Sequence, residues 1–486
     1  MMCCKCFCFF VKRSIFAFDL KKRFPYSQPM KLTKDELLSL VREGARAMTL
    51  QEKLRLIVLL SLPAIIAQIS SVAMQIIDAA MLGHLGTKES ASVGLVSTTI
   101  WLLGGLCSAC AAGFSVQVAH HVGANDYAGA RNVVRQGMVA GLVFSVVLGI
   151  AGMCIAPFLP HWLGASDDIC RDAGEYLMIV SSALPILLMN NLAAGSLRCS
   201  GNIKLPSMLG VMMCTLDVLF NYLFIFVFNM GTSGAAWGTF VAYTITMVCM
   251  VGALVWKDKV LNFKQDLQGI YRPTKMTLRK ALVIGSPISL ERGVMCGAQI
   301  AISGIIAPLG SVAIAANTFG INIESLCYMP GYGVGEAATT LVGQSMGAKR
   351  SDLMRSFAWI SMTLGMLTMS LMGVVMWVFA PEMMGLVTED TEVILLGTEV
   401  LRIEAWAEPM FAASIVAYSI FVGAGKTLVP SIMNLGSIWI VRLSLALILA
   451  PSMGLKGVWI AMCVELCWRG AAFIVKLSRK GWSKIG

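Results

Sequence analysis

The chain has 486 residues, of which 57% are hydrophobic and 13% are charged, and its formal net charge is +11. Soluble globular chains carry about 45–50% apolar and about 25% charged residues, so this chain has too few polar groups to cover its surface in water. The composition excludes a soluble enzyme and, despite the basic charge, a nucleic-acid-binding protein, and it indicates an integral membrane protein.

The first element in chain order is a basic tail, residues 1–54, which precedes the first long apolar stretch. Residues 1–29 differ in composition from the rest, and Met30 begins a cleaner amphipathic segment. No cleavage site of small residues follows the first apolar residues, so we do not expect a signal peptide. We hypothesise that Met30 is the natural start and that residues 1–29 are not part of the native protein.

Twelve predicted membrane-spanning helices follow the tail. A helix needs about 20 apolar residues to cross the hydrocarbon of a bilayer. Stretches of this kind lie near residues 55–81, 90–119, 132–158, 175–198, 205–228, 233–256, 281–306, 312–344, 356–380, 395–423, 429–450 and 456–476. They divide the chain into a six-helix unit at 55–256, a basic linker at 257–280, a second six-helix unit at 281–476 and a tail at 477–486. The sequence therefore predicts an all-α membrane protein.

Lysine and arginine are distributed unevenly between the two sides of the predicted membrane. The connections on the side opposite to the termini hold only three of them, Lys88, Arg171 and Lys456, whereas the tails and the other connections are rich in both. Basic residues are retained on the cytoplasmic side, so we expect both termini in the cytoplasm. The basic side is also expected to contact anionic membrane lipids.

The chain repeats itself at an offset of 224 residues. The prolines that coincide at this offset are Pro63 with Pro287, Pro157 with Pro381, Pro185 with Pro409, and Pro206 with Pro430. Near the end the offset falls to 223, where Gly231 coincides with Gly454. Because six is an even number, the two six-helix units share one orientation in the membrane. Parallel repeats of this kind occur in transporters whose substrate site lies between the halves near the midplane.

Several segments carry a resemblance to a known family. They are DAAMLGHLG at 78–86, LRCSGN at 197–202, MPGYG at 329–333 and LVGQSMGA at 341–348. In this order, and with the duplication, they resemble the multidrug and toxic compound extrusion (MATE) family, and the bacterial NorM and DinF-like proteins within it. The resemblance implies a V-shaped transporter with a central cleft, which exports small organic cations in exchange for H⁺ or Na⁺ and needs no other cofactor. We expect a monomer in the bacterial inner membrane.

Polar residues inside the predicted spans are costly, so each needs a reason, and the duplication supplies an internal control. Asp78 coincides with the apolar Ile302. Asp217 and Asn221 also coincide with apolar residues, and their spacing of four places both on one helix face. These groups are therefore not part of the scaffold that both halves share, which favours a functional role.

The resemblance assigns roles to these residues. Asp78 matches the aspartate of the family's first span that is most closely tied to ion coupling, and Thr239 matches a hydroxyl of the sixth span. Asp217 and Asn221 have the residue types of the family site in exchanged order. We expect the four side chains to bind Na⁺ or a shared proton. Pro63 removes a backbone hydrogen bond in the same span as Asp78 and so permits a bend.

The second half has its own acidic candidates. Glu291 follows Pro287 by four residues and coincides with Ala67 in the first half. We expect Glu291 to contact substrate or coupling ion, and Glu324 and Glu336 are the next candidates for the same role. Glu404 and Glu408 lie one helical turn apart with Arg402 close by in sequence. For these three residues we predict a structural ion pair.

Two other functions remain open at this point. A lipid or oligosaccharide-lipid flippase of the same superfamily would need basic groups in the cleft, and Arg292, Arg402 and Arg442 are available for that purpose. An intramembrane enzyme would use Asp78 and Asp217 as a catalytic pair. The sequence has neither a Gly-rich phosphate loop ending in Lys-Ser/Thr nor a His-Glu-x-x-His motif, so we expect no ATPase and no metalloenzyme.

Overall fold

The computed structural model describes residues 32–44, 46–266 and 269–483. Throughout this part of the chain the regular elements are helices, and it contains no strand. The hypothesis that residues 1–29 are not native falls outside the described residues.

Six spans form the first half. Spans 1 to 6 are Leu50–Leu85, Thr87–Gly123, Tyr127–Ile155, the pair Asp167–Ser182 and Leu184–Cys199, Lys204–Tyr222, and Gly231–Gly252. Spans 5 and 6 each continue into a π-helical turn, at Leu223–Val227 and Ala253–Lys257. Capping explains the start of span 1, where the Thr49 side chain and the Glu52 side chain each accept from the other's backbone N–H.

Six further spans form the second half. Spans 7 to 12 are Lys275–Ile306, Ser311–Gly347, Ser351–Gly385, the pair Thr391–Glu404 and Glu408–Gly423, Leu428–Met453, and Leu455–Ser478. Span 7 begins earlier than the predicted start at 281, because the Thr274 side chain accepts from the backbone N–H of Thr277 and caps the helix. The linker between the halves is correspondingly shorter than predicted.

Twelve spans are confirmed. Within the described residues, nine helices are long and apolar enough to cross a membrane, and each bent pair supplies one more span. The twelfth, Ser311–Gly347, has 37 residues and is not among those nine helices or the two bent pairs. The bend is 44° in span 4 and 60° in span 10, and in both spans a proline is the second residue of the second helix.

The duplication is visible in the turns between spans. Asn125, after span 2, and Lys349, after span 8, have φ angles of 58° and 57°. Gly201 and Gly425 follow spans 4 and 10 with φ angles of 100° and 68°. Left-handed residues stop a helix and reverse the chain. Residues 224 apart therefore make equivalent turns, so the two halves share one backbone plan.

The halves contact each other mainly through spans 1 and 8 and through spans 2 and 7. A β-carbon on Gly113 of span 2 would lie 2.6 Å from the carbonyl oxygen of Ala281, and one on Gly285 of span 7 would lie 2.9 Å from that of Ala109. Small residues thus allow close backbone approach. These contacts lie near the face that carries both described chain ends, which we term the terminal face. Towards the opposite face the halves diverge and leave the central cleft of a V-shaped molecule.

A short amphipathic helix, Lys34–Glu43, lies on the terminal face. It buries Leu37, Leu38 and Val41 against spans 1, 8 and 9. Arg42 donates to the carbonyl of Ser200 at 2.9 Å and to the side chain of Gln344 at 3.3 Å. The helix therefore touches both halves at the closed end of the V.

Candidate functional site

The polar residues predicted in spans 1, 5 and 6 lie together. The Asn221 amide donates to both acids, with Nδ2 at 2.9 Å from Oδ1 of Asp78 and at 3.1 Å from Oδ2 of Asp217. Asp217 and Asn221 are buried because span 5 turns this face towards spans 1 and 6, and Asp78 is half-buried. Thr239 of span 6 faces the Asp217 carboxyl group. We term these four residues the first-half cluster.

Two oxygen atoms of the first-half cluster lack a partner among the described residues. Oδ1 of Asp217 and Oδ1 of Asn221 are buried, and neither takes part in a hydrogen bond. Tyr176 and Tyr243 approach the two acids from spans 4 and 6. Across the described ranges no basic side chain forms an ion pair with either acid. One open carboxyl oxygen and one open amide oxygen, beside two acids and no base among the described residues, leave a position suited to a bound cation.

Close helix packing holds this cluster in place. A β-carbon on Gly238 of span 6 would lie 2.8 Å from the backbone nitrogen and 3.0 Å from the Cα of Asn221. Glycine therefore sets the separation of spans 5 and 6 where the cluster lies. Pro63 lies inside span 1 and the helix continues through it, about 22 Å along the axis from Asp78.

Glu291 occupies a different polar site, inside the second half. Its Oε2 accepts from the Tyr418 hydroxyl of span 10 at 2.6 Å, and its Oε1 accepts from the Asn434 amide of span 11 at 2.7 Å. The neighbouring Arg292 faces the other half, where its guanidinium lies 5.2 Å from the ring centre of Trp101 in span 2. Glu291 and Arg292 thus have separate partners, as their 100° separation around the helix requires.

Glu336 lies where the two halves meet. Its carboxylate pairs with Arg198 of span 4 and accepts from Nε2 of Gln68 in span 1 at 3.0 Å. A cavity of about 150 Å³ adjoins this network, and its polar lining includes Gln68, Ser71, Asn190, Asn191, Arg198, Ser207, Tyr243, Thr246 and Glu336. Because Tyr243 also approaches the first-half cluster, the cavity extends from the junction of the halves towards that cluster.

Glu324 lies deep inside the second half, where it faces Arg442 and Arg469. Glu404 lies in the same region, but the predicted ion pair of Glu404 and Glu408 with Arg402 is wrong. Arg402 donates from Nε to the carbonyl of Trp377 at 3.2 Å and lies against the ring of that residue. Residues two apart on a helix point away from each other, so Arg402 points outwards while the glutamate points inwards.

Tyr418 and Asn434, the partners of Glu291, are not among the residues predicted from the sequence, although the duplication contains a signal for them. Tyr418 coincides with Ala194, and Asn434 coincides with Gly210. Each is polar where the other half has alanine or glycine, just as Asp78 is polar where the other half has the apolar Ile302. Of the partners of Glu336, Arg198 coincides with the apolar Val422 and carries the same signal, whereas Gln68 coincides with the polar Arg292 and does not. Their contact with Glu336 is made only in the folded chain.

Comparison with known proteins agrees with this architecture. The MatE family profile matches residues 63–223 and 287–448, one stretch in each half. This chain belongs to the MatE family. A "Probable multidrug resistance protein NorM" of Thermotoga maritima is 25% identical over 438 residues, which cover 87% of this chain and 92% of the relative. A protein of the same name from Chromobacterium violaceum is 26% identical over 460 residues, with 92% and 97% coverage.

A solved structure described as "Outward-facing conformation of a multidrug resistance MATE family transporter of the MOP superfamily" shares the fold with a TM-score of 0.83. The two chains are 21% identical, and the match covers 91% of this chain and 98% of the other. Membership of the MatE family makes the protein a multi-pass membrane transporter rather than an enzyme.

Proposed function

We propose that this MATE transporter is a secondary-active exporter that moves small organic cations out of the cell in exchange for H⁺ or Na⁺. The observation that carries the proposal is the first-half cluster. Asp78 and Asp217 share one amide donor, and no base of the described ranges pairs with either acid. The buried Asp217 keeps an open acceptor oxygen. A proton or Na⁺ is the simplest partner that neutralises such a pair inside a membrane.

Span 1 links that cation to the movement of the halves. Asp78 lies on the same helix as Ile65, against which span 8 packs so closely that a β-carbon on Gly333 would lie 2.7 Å from the Ile65 backbone nitrogen. Gln68, one turn further, bonds to Glu336 of span 8. A cation that draws Asp78 towards span 5 changes the packing of span 1 on the other half. Pro63, between the chain start and Asp78, allows span 1 to bend in response.

Coupling requires that the cation bind one conformation more tightly than the other. In the described conformation the halves touch near the terminal face. We propose that this face is cytoplasmic, as the distribution of lysine and arginine indicates, and that the cleft therefore opens outwards. Cation binding from outside would then favour the state in which substrate leaves, and a difference of a few kcal/mol would suffice.

The nature of the substrate is supported by two considerations. Relatives over nearly the whole chain are named multidrug resistance proteins. Glu291 is a buried acid held by Tyr418 and Asn434, and an acid with aromatic neighbours suits an organic cation. Glu336 pairs with Arg198 across the junction of the halves, and we propose that this pair separates when the halves move apart.

The flippase alternative is less well supported, because two of the three arginines that would serve it are occupied elsewhere. Arg442 pairs with Glu465 at 2.9 Å inside the second half. Arg402 lies against Trp377. Arg292, stacked on Trp101, is the remaining arginine of the three, and a phosphate headgroup would need more than one basic contact.

Uptake of a fluorescent organic cation by inside-out membrane vesicles tests the proposal. An imposed proton gradient is compared with an imposed sodium gradient, for the wild-type protein and for Asp78→Asn. We expect uptake to follow one of the two gradients and to be lost in the variant. Asp172→Asn makes the same chemical change at a residue paired with Lys88 near the opposite face, and should leave uptake intact.

Each other outcome counts against part of the proposal. Ion-driven uptake that survives in Asp78→Asn would contradict the assignment of ion coupling to the first-half cluster. Failure of both gradients to drive any cation would overturn the export of organic cations and would make lipid translocation the next assay.

A further inference from the structure

A second group of charged residues lies inside the second half, apart from the first-half cluster and from Glu291 and Glu336. Its members are Glu324 of span 8, Glu404 and Glu408 of span 10, Arg442 of span 11, and Glu465 and Arg469 of span 12. We term them the second-half cluster. Glu404, Glu408 and Glu465 are 0% exposed. Four acids therefore face two bases in a region without solvent, so the charges do not balance.

Glu465 holds both arginines. Arg442 lies 2.9 Å from its Oε2, and Arg469 lies 3.1 Å from its Oε1. The Ser437 hydroxyl donates to the same carboxylate. One carboxylate against two guanidinium groups leaves one positive charge, and Glu324 faces both arginines. An ionised Glu324 completes the balance, and these four side chains are together neutral.

Glu404 and Glu408 remain without a partner. None of their four carboxyl oxygens has a hydrogen-bond partner in the part of the chain that the structure describes. They lie one turn apart on span 10, and Glu324 is close to both. An ionised carboxylate with neither base nor donor is not tolerated in hydrocarbon, whereas a carboxylic acid is.

Among the residues that the structure describes, no uncommitted base lies near the two glutamates. The titratable and charged groups that approach them are Glu324, Cys327 and Tyr328 of span 8, Arg442 of span 11, and Cys467 of span 12. Tyr332, Glu465 and Arg469 lie next to that set. Span 9 packs here through Gly373 and carries no charged residue between Arg355 and Glu382. No group of three or more acids, cysteines or histidines in the described residues is arranged to hold a metal ion.

We propose that Glu404 and Glu408 form a proton-binding site, in which both side chains are carboxylic acids in the described conformation and release protons when span 10 changes its bend. The two residues stand on either side of the 60° break in that span. A β-carbon on Gly373 would lie 2.9 Å from the Ala405 carbonyl oxygen and 3.1 Å from Cβ of Glu408. Span 9 thus packs directly on the bend, so a proton lost here alters helix packing. The site is independent of the first-half cluster.

Infrared spectroscopy of the purified full chain in lipid vesicles tests the site, since protonated carboxyl groups absorb apart from carboxylates. We expect Glu404→Gln and Glu408→Gln each to remove the absorption of one protonated carboxyl group per chain at neutral pH. The matched control is Glu399→Gln, on the same span but half-exposed and 2.6 Å from Lys456. It should remove none. Spectra in which neither buried variant differs from wild type would overturn the proposal.

Thermal unfolding against pH supplies a second, independent reading. Glutamine resembles a protonated glutamate, so the double variant Glu404→Gln/Glu408→Gln should have the wild-type melting temperature at neutral pH. At alkaline pH its melting temperature should fall less than that of the wild-type protein. A large loss at neutral pH would mean that the glutamates are ionised partners of the arginines, which contradicts the proposal. Neither measurement uses transport, so failure of ion-driven export would leave this result unaffected, and the reverse also holds.

Discussion

Spans 1 to 6 and spans 7 to 12 follow one backbone plan, yet each half carries acids inside its spans where the other half is apolar. Asp78 of span 1 corresponds to Ile302 of span 7, and Glu408 of span 10 corresponds to Leu184 of span 4. Both Leu184 and Glu408 are buried beside the bend of their span. The bend therefore does not require an acid, and an apolar side chain suffices to hold it.

This difference teaches how a duplicated membrane scaffold acquires function. Glycines, prolines and left-handed turns are kept at equivalent positions because they fix the helix contacts and reversals. Charged residues differ between the halves because each buried charge costs free energy. A charged site is therefore present in one half without being repeated in the other. In the first half Asn221 joins the two acids, whereas in the second half Glu465 joins two bases.

The largest expected effect on stability is that of Glu465→Gln. Removing this carboxylate leaves Arg442 and Arg469 buried without their common partner, which typically costs about 3–5 kcal/mol. Thermal and denaturant unfolding in detergent would measure the loss. Glu399→Gln, which breaks a half-exposed pair with Lys456, serves as the control and should lower stability by less than about 1 kcal/mol. Equal losses in the two variants would contradict the arrangement of charges described for the second half.

The next largest effect on stability is expected when the residues at the two bends are exchanged between the halves. Leu184→Glu places an unpartnered carboxyl group in the apolar core of the first half and should destabilise by about 1–3 kcal/mol. Glu408→Leu gives the second half the residue of the first half and should be neutral or stabilising. Unfolding measurements on both variants would sharpen the comparison, and a destabilised Glu408→Leu would show that the acid supports the bend.

Gly238→Ala tests the packing around the first-half cluster. Its new methyl group would overlap the backbone of Asn221, which should cost about 1–3 kcal/mol and separate spans 5 and 6. The equivalent residue in the second half is Ala461, which already carries a methyl group. Ala461→Gly is the matched control, with a loss of about 1 kcal/mol or less. Gradient-driven uptake should fall in Gly238→Ala and persist in the control.

Arg198→Gln has a smaller effect, directed at the contact between the halves. Arg198 and Glu336 are partly exposed, so breaking the pair should cost about 1 kcal/mol or less. The adjacent Cys199 is buried and its carbonyl accepts from Gln344 of span 8 at 2.8 Å. We expect faster modification of Cys199 by a maleimide, measured by peptide mass spectrometry. Arg171→Gln, at an exposed pair on the opposite face, should leave this rate unchanged.

The smallest effect is expected at the Asp35–Lys259 pair, which ties the amino-terminal helix to the linker at 2.8 Å. The Lys259 ammonium lowers the pKa of Asp35, and Asp35 raises the pKa of Lys259. The contribution to stability is therefore lost as pH falls below about 4 and as pH rises above about 10. Asp35→Asn should lower the melting temperature slightly at neutral pH and not at all at the acid end. A constant difference at every pH would mean that the pair is not responsible.

Much of the fold was open to prediction because it depends on local chemistry. The length of each apolar stretch identifies a span. Prolines and glycines that recur at one offset reveal the duplication even where the residues between them differ. The same comparison marked Asp78, Asp217 and Asn221 as polar groups outside the shared scaffold. Their contact could be expected only through family resemblance, since spacing along the chain places residues on a helix face but does not choose the helix opposite.

The sequence by itself therefore determined the membrane class, the twelve spans, the parallel repeats and the acids that depart from them. Tertiary structure alone decided the partners of those acids. It turned Arg402 away from Glu404, brought Arg198 to Glu336 and brought Arg442 of span 11 to Glu465 of span 12. The physical reason is that helix formation follows from bonds within one segment. A buried charge, in contrast, is stabilised by groups that arrive from distant segments, and only packing selects them.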